Sequence, residues 1–62
     1  MQEIKQFRNS LKLTLKEFAE SIGVSESLYS KIECGDRKPS RQFCEHLKAK
    51  YPQFDVNIFF TN

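Results

Sequence analysis

The sequence predicts an all-α domain built from five short helices. Apolar residues recur at three- and four-residue spacing along most of the chain, and no stretch reads as a strand. Residues that cap helix N-termini, namely Thr14, Ser25, Ser40 and Asp55, stand just ahead of such stretches. The two glycines and two prolines fall between them as punctuation.

Ile4, Phe7 and Leu11 lie three and then four residues apart, as one face of a first helix requires. Thr14 and Glu17 have the spacing of a capping box, so a second helix starts at about Leu15. Its inward face is Leu15, Phe18, Ala19 and Ile22, and Gly23 stops it by accepting a positive φ. Ser25 caps a third helix, which carries Leu28, Tyr29 and Ile32 and ends at Gly35. Residues 36–39 form a polar loop in which Pro39 disfavours helical geometry at Lys38. Ser40 caps a fourth helix with Phe43, Cys44, Leu47 and Tyr51 on one face, and Pro52 follows its end. Asp55 caps a short final helix, about residues 55–60, that holds Val56, Ile58, Phe59 and Phe60.

Size and composition exclude whole classes of function. Sixty-two residues make a single domain, 1–62, too small for a dinucleotide fold with a substrate domain, a barrel or a deep enclosed active site. Ordering a residue costs on the order of 1.5 kcal/mol, so most apolar side chains must be buried. A hydrophobic content of 39% is enough to exclude a disordered tail. No apolar run approaches the roughly 20 residues of a membrane span. The N-terminal stretch has no apolar signal region, which predicts a cytoplasmic protein. Cys34 and Cys44 are then expected to be reduced thiols. Together with His46 they lack the paired spacing of a zinc site. No phosphate-cradling glycine loop is present, and the only His lies on a helix in a chain too small for a sheltered triad, so no enzyme, no cofactor and no small-molecule substrate are expected. The net charge is +2, with basic residues concentrated at Lys31, Arg37, Lys38, Arg41, Lys48 and Lys50. That leans weakly toward a polyanionic partner.

The most specific signal lies in residues 14–33, TLKEFAESIGVSESLYSKIE. The turn after Ile22 is too short for antiparallel helices, so the two must cross steeply, and a steep crossing needs a small contact residue. Ala19 is the only small apolar residue at a core position of the second helix. This is the spacing of a helix-turn-helix. The pattern as a whole, Arg8, Leu13-Thr14, Glu17-Phe18-Ala19, Ile22-Gly23-Val24-Ser25, Ser30-Lys31-Ile32-Glu33, Gly35, Arg37 and Pro39-Ser40, resembles the lambda-repressor-like helix-turn-helix family, the Cro/cI or XRE type, over about residues 4 to 60.

The resemblance implies a five-helix DNA-binding domain whose third helix enters the major groove, in a bacterial, phage or mobile-element setting. The implied base-contact positions are Ser25, Glu26, Ser27, Leu28 and Lys31. Serine hydroxyls can donate to phosphate or base edges, and Lys31 suits a guanine O6/N7 edge or a phosphate. Leu28 has two readings, a thymine-methyl contact or ordinary packing. Glu26 also has two. It stands where relatives often carry Gln, so it would accept from a cytosine amine, or else it is a first-turn acid that complements the helix dipole. Leu15 replaces a Gln common in relatives, which removes one phosphate clamp and leaves Lys16 beside it as a substitute. The implied phosphate contacts are Lys16, Arg37, Lys38, Ser40 and Arg41. Arg8 and Glu33 occupy the positions of a structural ion pair that orients the third helix.

Four large hydrophobes in the C-terminal stretch cannot all turn inward from one helical turn, so Ile58, Phe59 and Phe60 divide between closing the core and forming a homodimer seam. The expected partner is double-stranded DNA with a palindromic operator. The expected function is a sequence-specific transcriptional regulator, most simply a repressor. No effector-binding or self-cleavage domain is expected, so control would come from concentration, a partner protein or proteolysis. A protein-interaction module of the same fold, an antitoxin or a polymerase adaptor, is the alternative.

Overall fold

The computed structural model describes residues 2–60. Helices α1 (Gln2–Ser10), α2 (Leu15–Ser21), α3 (Glu26–Cys34) and α4 (Arg41–Lys50) are followed by a 3-10 helix, Val56–Phe60. No strand occurs among the described residues. The N-terminal ends form by local side-chain capping. The Glu17 N–H donates to Thr14 Oγ1 at 3.1 Å, and the Thr14 N–H donates back to Glu17 Oε1 at 2.9 Å. Ser25 Oγ accepts from the Leu28 N–H and Ser40 Oγ from the Phe43 N–H, each at 3.1 Å. Each such cap contributes about 1 kcal/mol.

The first three helices end alike. At each end a residue with positive φ turns the chain, and two N–H groups fold back on carbonyls of the last turn. Gly23 (φ 76°) and Gly35 (φ 86°) do this for α2 and α3. Their fold-back bonds include Val24 N–H to Ala19 O at 3.0 Å and Asp36 N–H to Lys31 O at 2.9 Å. In α1 the same position is Lys12, with φ 59°, and the Lys12 and Leu13 N–H groups donate to Asn9 and Arg8. Leu11 consequently lies past the end of α1 instead of on its last turn.

The core is Ile4 from α1, Phe18, Ala19 and Ile22 from α2 and its end, Tyr29 and Ile32 from α3, and Phe43, Leu47 and Tyr51 from α4 and its end. Seven of the eight aromatic rings join in a closed circuit. Phe54 meets Phe7 at 4.9 Å between centroids, and Phe7 meets Tyr51 at 5.5 Å. Tyr51 stacks on Phe18 at 5.2 Å, and Phe18 meets Tyr29 at 5.0 Å. Tyr29 then reaches Phe43 at 6.3 Å, Phe43 reaches Phe59 at 6.4 Å, and Phe59 returns to Phe54 at 5.9 Å. Such ring pairs add about 0.5–1.5 kcal/mol each beyond the area they bury.

The fifth element differs in kind from the expected α-helix. Asp55 Oδ1 does accept the Asn57 N–H at 3.0 Å, but the turn that follows is 3-10. Side chains three residues apart eclipse in that geometry. Val56 and Phe59 therefore pack together on the core, while Phe60 points away and is 65% exposed. This divides the C-terminal hydrophobes. Phe59 belongs to the core circuit, which leaves Phe60 and the half-buried Ile58 as the outward apolar surface.

Candidate nucleic-acid interface

The connection between α2 and α3 is four residues, 22–25, comprising the left-handed Gly23 and the cap Ser25. Ala19 is completely buried, in one core cluster with Phe18 and Ile22 and with Tyr29 and Ile32 of α3. The inner face of α3 is set by Tyr29 and Ile32, both buried. Its other side then faces outward, and Glu26, Ser27, Lys31 and Cys34 are exposed.

Ser25 is exposed, and its oxygen is engaged as the α3 cap, which leaves its proton available to donate. Glu26 is the first residue of α3 and forms no ion pair among the described residues. The capping-box position of this helix is Leu28, so Glu26 has no capping bond to make. Leu28 is half-buried and packs against the core. With Val24 and Phe43 it forms the apolar wall of a groove of about 280 Å³ between the starts of α3 and α4, rimmed by Ser25, Ser40, Gln42 and His46.

Lys16 is exposed in the first turn of α2, and its neighbour Leu15 is half-buried against the core. Packing thus accounts for the carbon side chain of Leu15. Arg37 and Lys38 are exposed in the loop after α3, and Ser40 caps α4 beside them. Arg41 opens α4, with Nε 3.5 Å from Glu45 Oε2. Its side chain is 93% exposed, so this pair contributes little and leaves the guanidinium accessible. The loop and the start of α4 therefore place Arg37, Lys38 and Arg41 next to each other in sequence beyond the end of α3.

Arg8 and Glu33 join α1 to α3. Arg8 Nε donates to Glu33 Oε2 at 2.9 Å and Nη2 to Glu33 Oε1 at 3.2 Å. Arg8 Nη1 also donates to the Leu13 carbonyl at 2.8 Å. The Tyr29 hydroxyl donates to Glu33 Oε2 at 2.7 Å. Burial alone would raise the Glu33 carboxyl, but hydrogen bonds from Arg8 and Tyr29 outweigh it and hold the group below the usual carboxylate range. The Arg8 guanidinium is raised, chiefly by its bond to Glu33. Burial, then the bond to Glu33, pushes the Tyr29 hydroxyl far above the ordinary tyrosine range.

Three contacts escape sequence reading. The Leu13 carbonyl carries no side-chain signal at all. The Tyr29–Glu33 bond has one, the four-residue spacing that brings helical neighbours together. His46, on the outer part of α4, sets Nδ1 3.0 Å from the Ile22 carbonyl at the end of α2. Cys34 is exposed and Cys44 buried, and both are unbridged. Burial raises the Cys44 thiol. No cluster of three His, Cys, Asp or Glu suited to a metal ion occurs among the described residues. No helix among them is long and apolar enough to cross a membrane.

Comparison with curated proteins and with solved structures gives no match. A helix-turn-helix family model matches residues 4–45, which span nearly all of α1, all of α2 and α3, and the first half of α4. With the capped turn between α2 and α3, the exposed outer face of α3 and that match, the chain belongs to the Cro/cI-type helix-turn-helix family of DNA-binding regulators.

Proposed function

We propose that this protein is a sequence-specific transcriptional regulator that acts by occupancy, as a homodimer on a palindromic operator. The observation that carries the proposal is the two-sidedness of α3. Tyr29, Ile32 and the Arg8–Glu33 tie hold one side to the body, and the opposite side offers Glu26, Ser27 and Lys31 to solvent. In this reading Ser25, Glu26, Ser27 and Lys31 meet base edges, and the exposed part of Leu28 meets a thymine methyl. Lys16, Arg37, Lys38, Ser40 and Arg41 meet phosphates and set the register of the helix on the duplex. Phe60 and Ile58 supply the two-fold seam, which places two copies of α3 in successive major grooves about 34 Å apart. Bound over a promoter, such a dimer blocks polymerase. The chain does no chemistry of its own, and its site is cytoplasmic.

Selection of bound duplexes from a random pool tests this directly. An inverted repeat with half-sites one helical turn apart is the expected result, and recovery of unselected sequence overturns it. Two features favour a second reading, a protein-interaction module of the same fold. Glu26 places an unpaired carboxylate on the outer face, and Leu15 offers no side-chain hydrogen bond. Salt titration separates the two readings. A DNA binder loses affinity with a log–log slope of about −0.9 per phosphate contact. A flat salt response together with no duplex preference favours the module.

A further inference from the structure

We propose that the Tyr29 hydroxyl is a positioning residue for the recognition helix: by donating to Glu33 Oε2 it holds the carboxylate in the orientation that Arg8 meets, and so keeps the tie between α1 and α3 closed. The inference rests on the DNA-binding reading of α3 above and deepens it.

The geometry is specific. Glu33 Oε2 receives two donors, Arg8 Nε at 2.9 Å and Tyr29 Oη at 2.7 Å, while Oε1 receives Arg8 Nη2 at 3.2 Å. Arg8 is itself anchored at its far end by the Leu13 carbonyl at 2.8 Å. The arginine–carboxylate fork joins α1 to α3 only while the Glu33 carboxylate, at the end of a side chain with several rotatable bonds, faces Arg8. Tyr29 removes that side-chain freedom. Its ring is completely buried between Phe18 and Phe43, and its hydroxyl reaches one helical turn along α3 to the same carboxylate. A ring fixed by core packing thus sets the direction in which the Glu33 carboxylate faces. Base recognition by α3 depends on that inter-helix tie, because a helix turned by a few degrees moves Lys31 and Glu26 off their hydrogen-bonding directions.

The charged and titratable groups that face Glu33 are Arg8 and Lys5 from α1 and Tyr29 from α3. Glu33 is held below the usual carboxylate range, so the tie is complete at neutral pH and is lost as pH falls through the carboxyl's own titration. Tyr29→Phe removes one donor to the carboxylate and keeps the ring, so Glu33 must titrate higher.

The experiment compares the parent with Tyr29→Phe by two measurements. Carbon NMR of the Glu33 carboxyl follows its titration in the free protein. Fluorescence anisotropy follows affinity for the selected operator and for a random duplex across the acid range. Expected results are a rise in the Glu33 midpoint of roughly half a pH unit or more, and an equal rise in the acid midpoint of operator binding. A fall of about three- to tenfold in the operator-to-random affinity ratio at neutral pH completes the expectation. Arg8→Lys keeps a charge but loses the fork, and it must lower the same ratio. Identical Glu33 titration in both proteins overturns the proposal, as does a shifted titration with an unchanged affinity ratio. If the parent selects no duplex, the DNA reading falls instead, and the Glu33 titration alone then supports or overturns the tie by the same criterion.

Discussion

Lys31 stands one turn beyond the start of α3, exposed and without an ion-pair partner among the described residues. Its replacement by Ala is expected to lower operator affinity by about 1–3 kcal/mol if the ammonium meets a base. Anisotropy against operator and random duplex checks this. A loss confined to the operator marks a base contact, and an equal loss on both marks a phosphate contact. Lys12 supports a second residue-scale prediction. A non-glycine residue in the left-handed region costs about 1 kcal/mol, and Lys12 holds the position that Gly23 and Gly35 hold at the next two helix ends. Lys12→Gly is therefore expected to raise the thermal midpoint by about 2–6 °C. Gly35→Ala is expected to lower it by a similar amount through backbone strain alone, because an added Cβ there meets nothing within 4 Å. Melting curves followed by circular dichroism decide both. Glycine announced two of these three turns in the sequence. Lysine concealed the third, because a left-handed φ forced on a lysine by the surrounding structure leaves no compositional trace.

At the scale of elements, the helix starts were legible because capping is a local event. Thr14, Ser25 and Ser40 each bond an N–H three residues on, so the whole interaction fits inside a sequence window. The burial of Ala19 was legible, since a steep crossing of α2 and α3 requires a small side chain and Ala19 is the small apolar residue of α2. Ala19→Leu is expected to cost about 1–3 kcal/mol by overpacking a completely buried site. For a domain whose net stability is roughly 3–9 kcal/mol, that is a visible fall in the thermal midpoint, and an unaltered melt would mean the helices do not meet at this residue. The last element was not legible in kind. Five residues are too few for the spacing of a 3-10 helix to stand apart from that of an α-helix, and the difference decides which phenylalanine faces in.

For the whole molecule, that difference separates stability from assembly. Phe59→Ser opens the aromatic circuit and is expected to destabilise the fold by about 2–3 kcal/mol, less than a fully buried Phe because the ring is only half-covered. Phe60→Ser removes a ring that is 65% exposed and is expected to abolish the proposed dimer while leaving the melt of dilute, monomeric protein unchanged. Analytical ultracentrifugation beside a thermal melt on both variants checks the pair. A dimer retained by Phe60→Ser removes this surface from the seam. The candidate site was legible to the same degree as its local parts. The outer face of α3 follows from its period, and the Arg8–Glu33 positions follow from family resemblance. The Tyr29 hydroxyl lay within reach of a helical spacing rule and the Leu13 carbonyl carries no side-chain signal, whereas the His46 bond to Ile22 depends on how separate segments come together, which no single window records.

The aromatic circuit reaches past the stretch that the family model matches. Its links at Tyr51, Phe54 and Phe59 lie beyond residue 45, yet they cover Phe7 and Phe43, which lie inside it. A transplant of residues 4–45 into another scaffold would carry every residue proposed to meet DNA and arrive with its hydrophobic underside bare. Whoever grafts this reading head must bring the last fifteen described residues with it, because they are its lid.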